Sequence, residues 1–160
     1  HKQFDAREDF DLALVNAIEQ AGADLVVLAG FMRILTDNFV NNFHGRLLNI
    51  HPSLRPKYPG LHTHQRAIDA GDTEAGVTVH FVTAELDGGP PIIQARVPGY
   101  SGGDAHTLAT RVLEQEHKVY PQAVSWFIDG KLSLIDGKAI LDNEILPPVF
   151  LIMCTLLINC

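Results

Sequence analysis

Asn49 and His51 are the two residues whose types and spacing most readily do chemistry. They stand in Asn49-Ile50-His51-Pro52-Ser53-Leu54, at the end of the short apolar run Arg46 to Ile50. If that run is a strand, its period of two puts both side chains on one face. An amide and an imidazole so placed can both donate to one developing oxyanion, and the imidazole can also move a proton. The plainer alternative is an Asn in a turn and a His capping a strand, and spacing alone leaves both open. A second dense stretch is Glu85-Leu86-Asp87-Gly88-Gly89-Pro90. A carboxylate on a glycine-rich loop can approach a site closely. Beside a histidine, Asp87 would favour the imidazolium and fix its orientation. On its own, the same stretch reads equally well as an acidic turn.

Other patterns carry less. His62 and His64 form an H-x-H pair that could ligate zinc, and with His51 and Asp87 a metal hydrolase is conceivable. No H-E-x-x-H and no paired C-x-x-C supports it, so the expectation is no metal. Phosphate-loop and G-x-G-x-x-G patterns are absent from the sequence. Ser101-Gly102-Gly103-Asp104 reads as a loop ending in a helix N-cap at Asp104.

The elements that must position these residues follow from periodicity. Phe10, Leu14, Ala17, Ile18 and Ala21 fall at helical spacing before Gly22, which predicts a helix over Arg7 to Ala21. Asp24 to Ala29 is a continuous apolar run, as in a strand buried on both faces of a parallel sheet. Arg46 to Ile50 is a second strand, followed by a Pro-rich loop from Pro52 to Gly60. A short helix over Thr63 to Ala70 precedes a β-branched strand, Val77 to Thr83, and a fourth strand, Ile92 to Val97. Asp104 to Asp129 is a long helical stretch with Leu108, Val112, Val119, Ala123 and Phe127 toward the core. Pro121 is expected to kink or divide it. Asp136-Gly137 between apolar residues predicts a hairpin over Leu132 to Leu141. Helices alternating with buried strands predict an α/β fold, and 160 residues without repeats or linkers make one domain. In such sheets the crevice beyond the strand C-termini, where Asn49 and His51 fall, is the usual ligand site.

Composition narrows the function classes. Apolar residues make up 46% and charged ones 19%, which excludes a disordered polyelectrolyte. A net charge of -7 argues against generic nucleic-acid binding, which needs phosphate neutralisation. Two cysteines, Cys154 and Cys160, make no disulfide scaffold, so a reducing, cytoplasmic setting is expected. The chain opens at His1 without a signal-peptide pattern and reads as starting inside a longer protein. Val149 to Cys160 is nearly all apolar, yet its twelve residues fall short of the roughly 20 that span a bilayer. No basic or aromatic belt flanks this tail, so a buried terminal strand is expected rather than a membrane-associating segment.

Four stretches together resemble the folate-dependent phosphoribosylglycinamide formyltransferases. They are ADLVVLAGFMRIL from Ala23, GRLLNIHPSL from Gly45, PKYPGLHTHQRAI from Pro56 and VHFVTAELDGGPPIIQARVP from Val79. The likeness runs in order from about Phe4 to Pro148. Formyltetrahydrofolate hydrolases and methionyl-tRNA formyltransferases share an Asn-x-His and a later Asp, but Gly60 to His64 favours the purine enzymes. The resemblance implies a Rossmann-like, mostly parallel sheet with helices on both faces. It implies a catalytic segment over 1–148, an atypical apolar tail over 149–160, and no opening phosphate-binding βα unit.

What it implies about function is formyl transfer from 10-formyltetrahydrofolate to the amine of glycinamide ribonucleotide, in purine synthesis. The catalytic residues would be Asn49, His51 and Asp87. Folate contacts would fall on Arg7, Met32, Arg33, Ile34 and Leu35, on Asn49, and on the loop Thr83, Ala84, Glu85, Leu86 and Asp87. Pro52 and Glu116 would meet the ribonucleotide. Without the resemblance, Arg7 reads as a first-turn surface residue and Glu116 as a solvated helix charge. The partners implied are small molecules, with no nucleic acid or membrane, and a homodimer is an admissible assembly. Formyltetrahydrofolate hydrolysis, or a silent folate-binding fragment, are the competing readings. Arg55 departs from the family, which usually carries Leu there.

Overall fold

A computed structural model describes residues 6–31, 33–84, 89–99 and 103–147, and the backbone of 151–152. Helix α1 (Arg7–Gln20) stops where Gly22 turns to a positive φ of 65°, the left-handed conformation glycine adopts at little cost. Its buried stripe is Asp11 and Val15, flanked by Leu14 and Ile18, whereas Ala17 and Ala21 of the expected stripe are exposed. The shift has a tertiary cause. Asp11 Oδ2 accepts from the Thr36 backbone N–H at 2.8 Å and so ties α1 to α2 (Asp37–Asn42), an element the sequence pattern does not predict. Thr36 caps α2 through Phe39 N at 3.2 Å, and the Phe39 and Phe43 rings meet at 5.0 Å.

The main sheet has the order β1 (Val26–Leu28), β2 (Leu47–His51), β3 (Glu74–Phe81), β4 (Pro91–Pro98), β8 (Leu151–Ile152). The fold is α/β. The described pairings within this sheet divide evenly: β1–β2 and β4–β8 are parallel, β2–β3 and β3–β4 antiparallel. The parallel share is therefore smaller than expected, because β3 runs against both of its neighbours. The strand expected to be buried on both faces is shorter and more open, with Val27 at 48% exposure. Among the described residues β1 pairs only with β2, and a strand with one neighbour is covered less than a central one. Strand β3 starts and ends earlier than its sequence pattern suggests, extended by pairing with β4 from Glu74↔Pro98 onward.

The sheet's two faces differ sharply. Leu48, Ile50, Val77, Val79, Ile93, Ala95 and Val97 form one core with Leu108, Val112, Val119 and Ala123 of α4 (Ala105–Ile128). Leu47 faces the other way, into a second core with α1 and α2, so helices cover both faces. Asp104 caps α4 through Thr107 N at 2.7 Å, as the sequence predicts. Pro121 leaves α4 undivided. Pro121 and His117 are both exposed, so the carbonyl deprived of its partner can turn to water.

Tyr120 locks α4 to the strands. Its hydroxyl lies 2.8 Å from the Leu28 carbonyl and 3.1 Å from that of Leu48, and burial pushes its phenol pKa up. Tyr120→Phe is expected to lower stability by about 1–2 kcal/mol in urea unfolding, since two carbonyls lose a shared donor. The expected hairpin is β5 (Leu132–Ile135) and β6 (Lys138–Leu141), closed by Asp136 and Gly137 with φ of 50° and 72°. A third strand, β7 (Glu144–Ile145), follows a similar two-residue turn at Asp142-Asn143. Within the apolar tail, β8 pairs with β4 at Gln94 and Ala95, while 153–160 lie outside the described residues.

Candidate active site

Strand β2 carries Asn49 and His51 on the same face, as period two requires. Register places His80 of β3 opposite Asn49, and Thr78 opposite His51. Gln94 of β4 stands opposite Thr78 in turn. The polar row Asn49, His51, Thr78, His80 and Gln94 thus lies on the face turned away from α4.

Within that row the hydrogen bonds assign each group a state. His80 Nδ1 lies 2.8 Å from the Phe81 carbonyl, which can only accept, so Nδ1 carries the proton. Burial, and secondarily the Arg55 charge, push the His80 pKa down to about 3, so at neutral pH Nε2 is an acceptor. Asn49 Nδ2 donates to it at 3.3 Å. This settles which way the Asn49 amide points and leaves its second N–H for another acceptor. His51 Nε2 donates to the Tyr58 carbonyl at 2.8 Å, so Nδ1 is the ring atom that Tyr58 leaves unengaged.

The loop that supplies Tyr58 is braced from outside. Asp72 accepts from Lys57 Nζ at 2.9 Å and from the Tyr58 hydroxyl at 2.8 Å. Those bonds, Lys57's first, hold the Asp72 carboxyl below the usual range. The Arg66 guanidinium stacks over the Tyr58 ring at 5.3 Å. The imidazole of His51 is thereby backed by a carbonyl whose own position is fixed.

The other sequence-derived residues are distributed around this row. Pro52 is half-buried beside His51. Glu116 is half-buried on α4, one turn before Tyr120, and burial raises its carboxyl pKa. Arg33 stacks on Phe10 at 4.1 Å, which ties the segment after β1 to α1, where Arg7 is exposed one turn earlier. Ile34 is 64% exposed, while Leu35 packs against the second core. Thr83 is half-buried, its hydroxyl enclosed with no partner among the described residues, and Ala84 is exposed. Met32, Glu85, Leu86 and Asp87 lie outside the described residues. Among the described residues no group of three or more His, Cys, Asp or Glu is placed to hold a metal, and no helix is long and apolar enough to cross a membrane.

Sequence reasoning overlooked His80, Thr78, Gln94 and Tyr120. Alternation in Val77-Thr78-Val79-His80-Phe81 signals a polar face on that strand. Which residues it meets depends on register, which no local pattern states.

Comparison with known proteins identifies the family. A family profile described as formyl transferase matches residues 1–124. The chain belongs to the formyl transferase family. Within that family it is similar to the phosphoribosylglycinamide formyltransferase of Escherichia coli K12, 55% identical over 145 residues, 91% of this chain and 68% of the relative. The Haemophilus influenzae enzyme of that name is 47% identical over 146 residues, covering 91% of this chain and 69% of the relative. A solved phosphoribosylglycinamide formyltransferase structure from Coxiella burnetii superposes with a TM-score of 0.88 at 46% identity, covering 94% of this chain and 72% of that one. As a formyl transferase family member, the chain is a transferase with an α/β fold, and the Asn49–His51 pair stands at the end of one of its central strands.

Proposed function

We propose that this chain transfers the formyl group of 10-formyltetrahydrofolate to the amine of glycinamide ribonucleotide, a step of purine synthesis. The observation that carries the reading is the oriented pair: Asn49 held by neutral His80, and His51 backed by the Tyr58 carbonyl. The amine attacks the formyl carbon and a tetrahedral oxyanion forms. The free N–H of Asn49 and the Nδ1–H of protonated His51 donate to it, an arrangement fixed before the charge develops. Asp87 stabilises the imidazolium and, through water, takes up the proton leaving the amine. That proton passes on to the folate N10 as the intermediate collapses, which expels tetrahydrofolate and leaves the formamide. Glu116 and Pro52 meet the ribonucleotide. Arg7, Arg33 and the Thr83–Asp87 stretch meet the folate.

The test is a steady-state assay of the chain with 10-formyltetrahydrofolate, with and without glycinamide ribonucleotide. Formylated ribonucleotide formed at the rate folate is consumed is the expected result. Formate released equally with or without ribonucleotide overturns transfer in favour of hydrolysis. Folate-analogue binding with no turnover overturns it in favour of a silent binding domain.

A further inference from the structure

Arg55 is where three parts of the molecule meet. Its backbone N–H donates to Thr78 Oγ1 at 3.1 Å, and its carbonyl accepts from Gln94 Nε2 at 3.0 Å. Thr78 and Gln94 are opposite each other on adjacent strands, both buried, and joined at 2.8 Å. The single Thr78 hydroxyl proton goes to the Ser53 carbonyl at 2.7 Å. One hydroxyl therefore donates once and accepts twice, which exhausts its capacity. The Arg55 side chain runs elsewhere: Nη1 donates to the Gly89 carbonyl at 3.2 Å.

Gly89 is itself pressed against the end of β3. A Cβ there would lie 1.6 Å from the Phe81 carbonyl oxygen, so only glycine fits without moving the backbone. The next residue, Pro90, accepts from Phe81 N at 3.1 Å. A continuous line of contacts runs from His51 through Tyr58 and the 53–58 loop to Arg55 and on to Gly89.

We propose that Arg55 is a positioning residue for formyl transfer, cross-tying the loop that backs His51 to the point where the stretch carrying Asp87 rejoins the sheet. The proposal rests on the formyl-transfer reading and adds to it a residue that touches no substrate. Two buried polar side chains in mid-sheet cost desolvation that an apolar pair would avoid. Here that cost goes into fixing the backbone of residues 53–55 from beneath, and precision of this kind is what a catalytic pair needs. A leucine at position 55 could not donate to the Gly89 carbonyl. The cation has a second effect, since its field helps keep His80 neutral and so an acceptor for Asn49.

The test compares the unmodified chain with Arg55→Leu and Arg55→Lys, varying each substrate separately and measuring urea unfolding alongside. For Arg55→Leu we expect kcat about tenfold lower, with KM for glycinamide ribonucleotide within about twofold. Arg55→Lys, which keeps a cationic donor, is expected to recover to within about threefold of the unmodified kcat. Unchanged kcat in Arg55→Leu overturns the proposal. So does a loss in both variants that merely follows a lowered unfolding midpoint. Should Arg55→Leu fail to fold, Arg55→Gln decides: lower kcat at unchanged KM supports the tie, and unchanged kcat overturns it. No turnover by the unmodified chain overturns the formyl-transfer reading together with this one, whereas turnover that ignores position 55 overturns this one alone.

Discussion

Replacing His51 with asparagine is expected to reduce formyl transfer by about 10³-fold while leaving the fold intact. An asparagine amide can still donate a hydrogen bond, but it carries no positive charge and moves no proton. Both are needed when a neutral amine becomes a neutral formamide through a zwitterionic intermediate. The structural cost is small. His51 is half-buried, and its one described hydrogen bond is to the Tyr58 carbonyl. Losing such a bond costs about 1 kcal/mol against the roughly 5–15 kcal/mol that holds a typical domain together. Steady-state kcat and a urea unfolding curve on the same preparation check both halves. Near-normal turnover in His51→Asn would remove His51 from the chemistry. Asp87→Asn is expected to act in the same direction, on the sequence argument that its carboxylate supports the imidazolium.

A fall in stability between pH 7 and pH 4 is the second large effect expected, and His80 is its main source. In the folded protein burial pushes its pKa to about 3, against an ordinary 6.5 in the unfolded chain. Between those values the unfolded chain binds a proton that the folded one refuses, so stability rises with pH across that window. The contribution is complete above pH 6.5 and is lost as pH falls toward 3. The slope is about 1.4 kcal/mol per pH unit, hence on the order of 3 kcal/mol by pH 4. His64 adds to the same trend, because burial and the His51 charge lower its pKa too. Urea unfolding of the unmodified chain and of His80→Leu at both pH values separates the two histidines. The pH dependence should be markedly flatter in the variant, and an equal dependence would show that His80 is not the group responsible. Folded His80 takes its proton only near pH 3, where Nε2–H would face the Asn49 amide and turn its oxygen inward, so the loss of stability precedes this change in the site.

Much of this molecule was legible in local sequence. Hydrophobic periodicity located α1, α3 (Thr63–Asp69), α4 and strands β1 to β4 to within a few residues. Asp136-Gly137 specified the hairpin, because two consecutive positive φ angles suit few other pairs. Asn49-x-His51 declared a shared face, because strand period is a property of the backbone. Helix α2 escaped notice because it is six residues long and held by a bond from Asp11, 25 residues away. The expectation of a doubly buried first strand failed for the opposite reason: apolarity was read correctly, but coverage depends on how many neighbours a strand has. Of the two effects expected of Pro121, a kink or a division, the division does not occur, since the lost hydrogen bond falls on an exposed turn.

By itself, then, the sequence determined the α/β class, the family, and the residues that can act on a carbonyl, since side-chain chemistry and backbone period are local. Only the tertiary structure decided the state of those residues. Antiparallel register set His80 beside Asn49 and Thr78 beside Gln94. Burial then stripped the proton from His80, and a loop returning over the strand gave His51 its tautomer. Asn49 and His51 became an oriented pair through partners 31 and 7 residues distant in the chain, and strand register and loop closure brought those partners together.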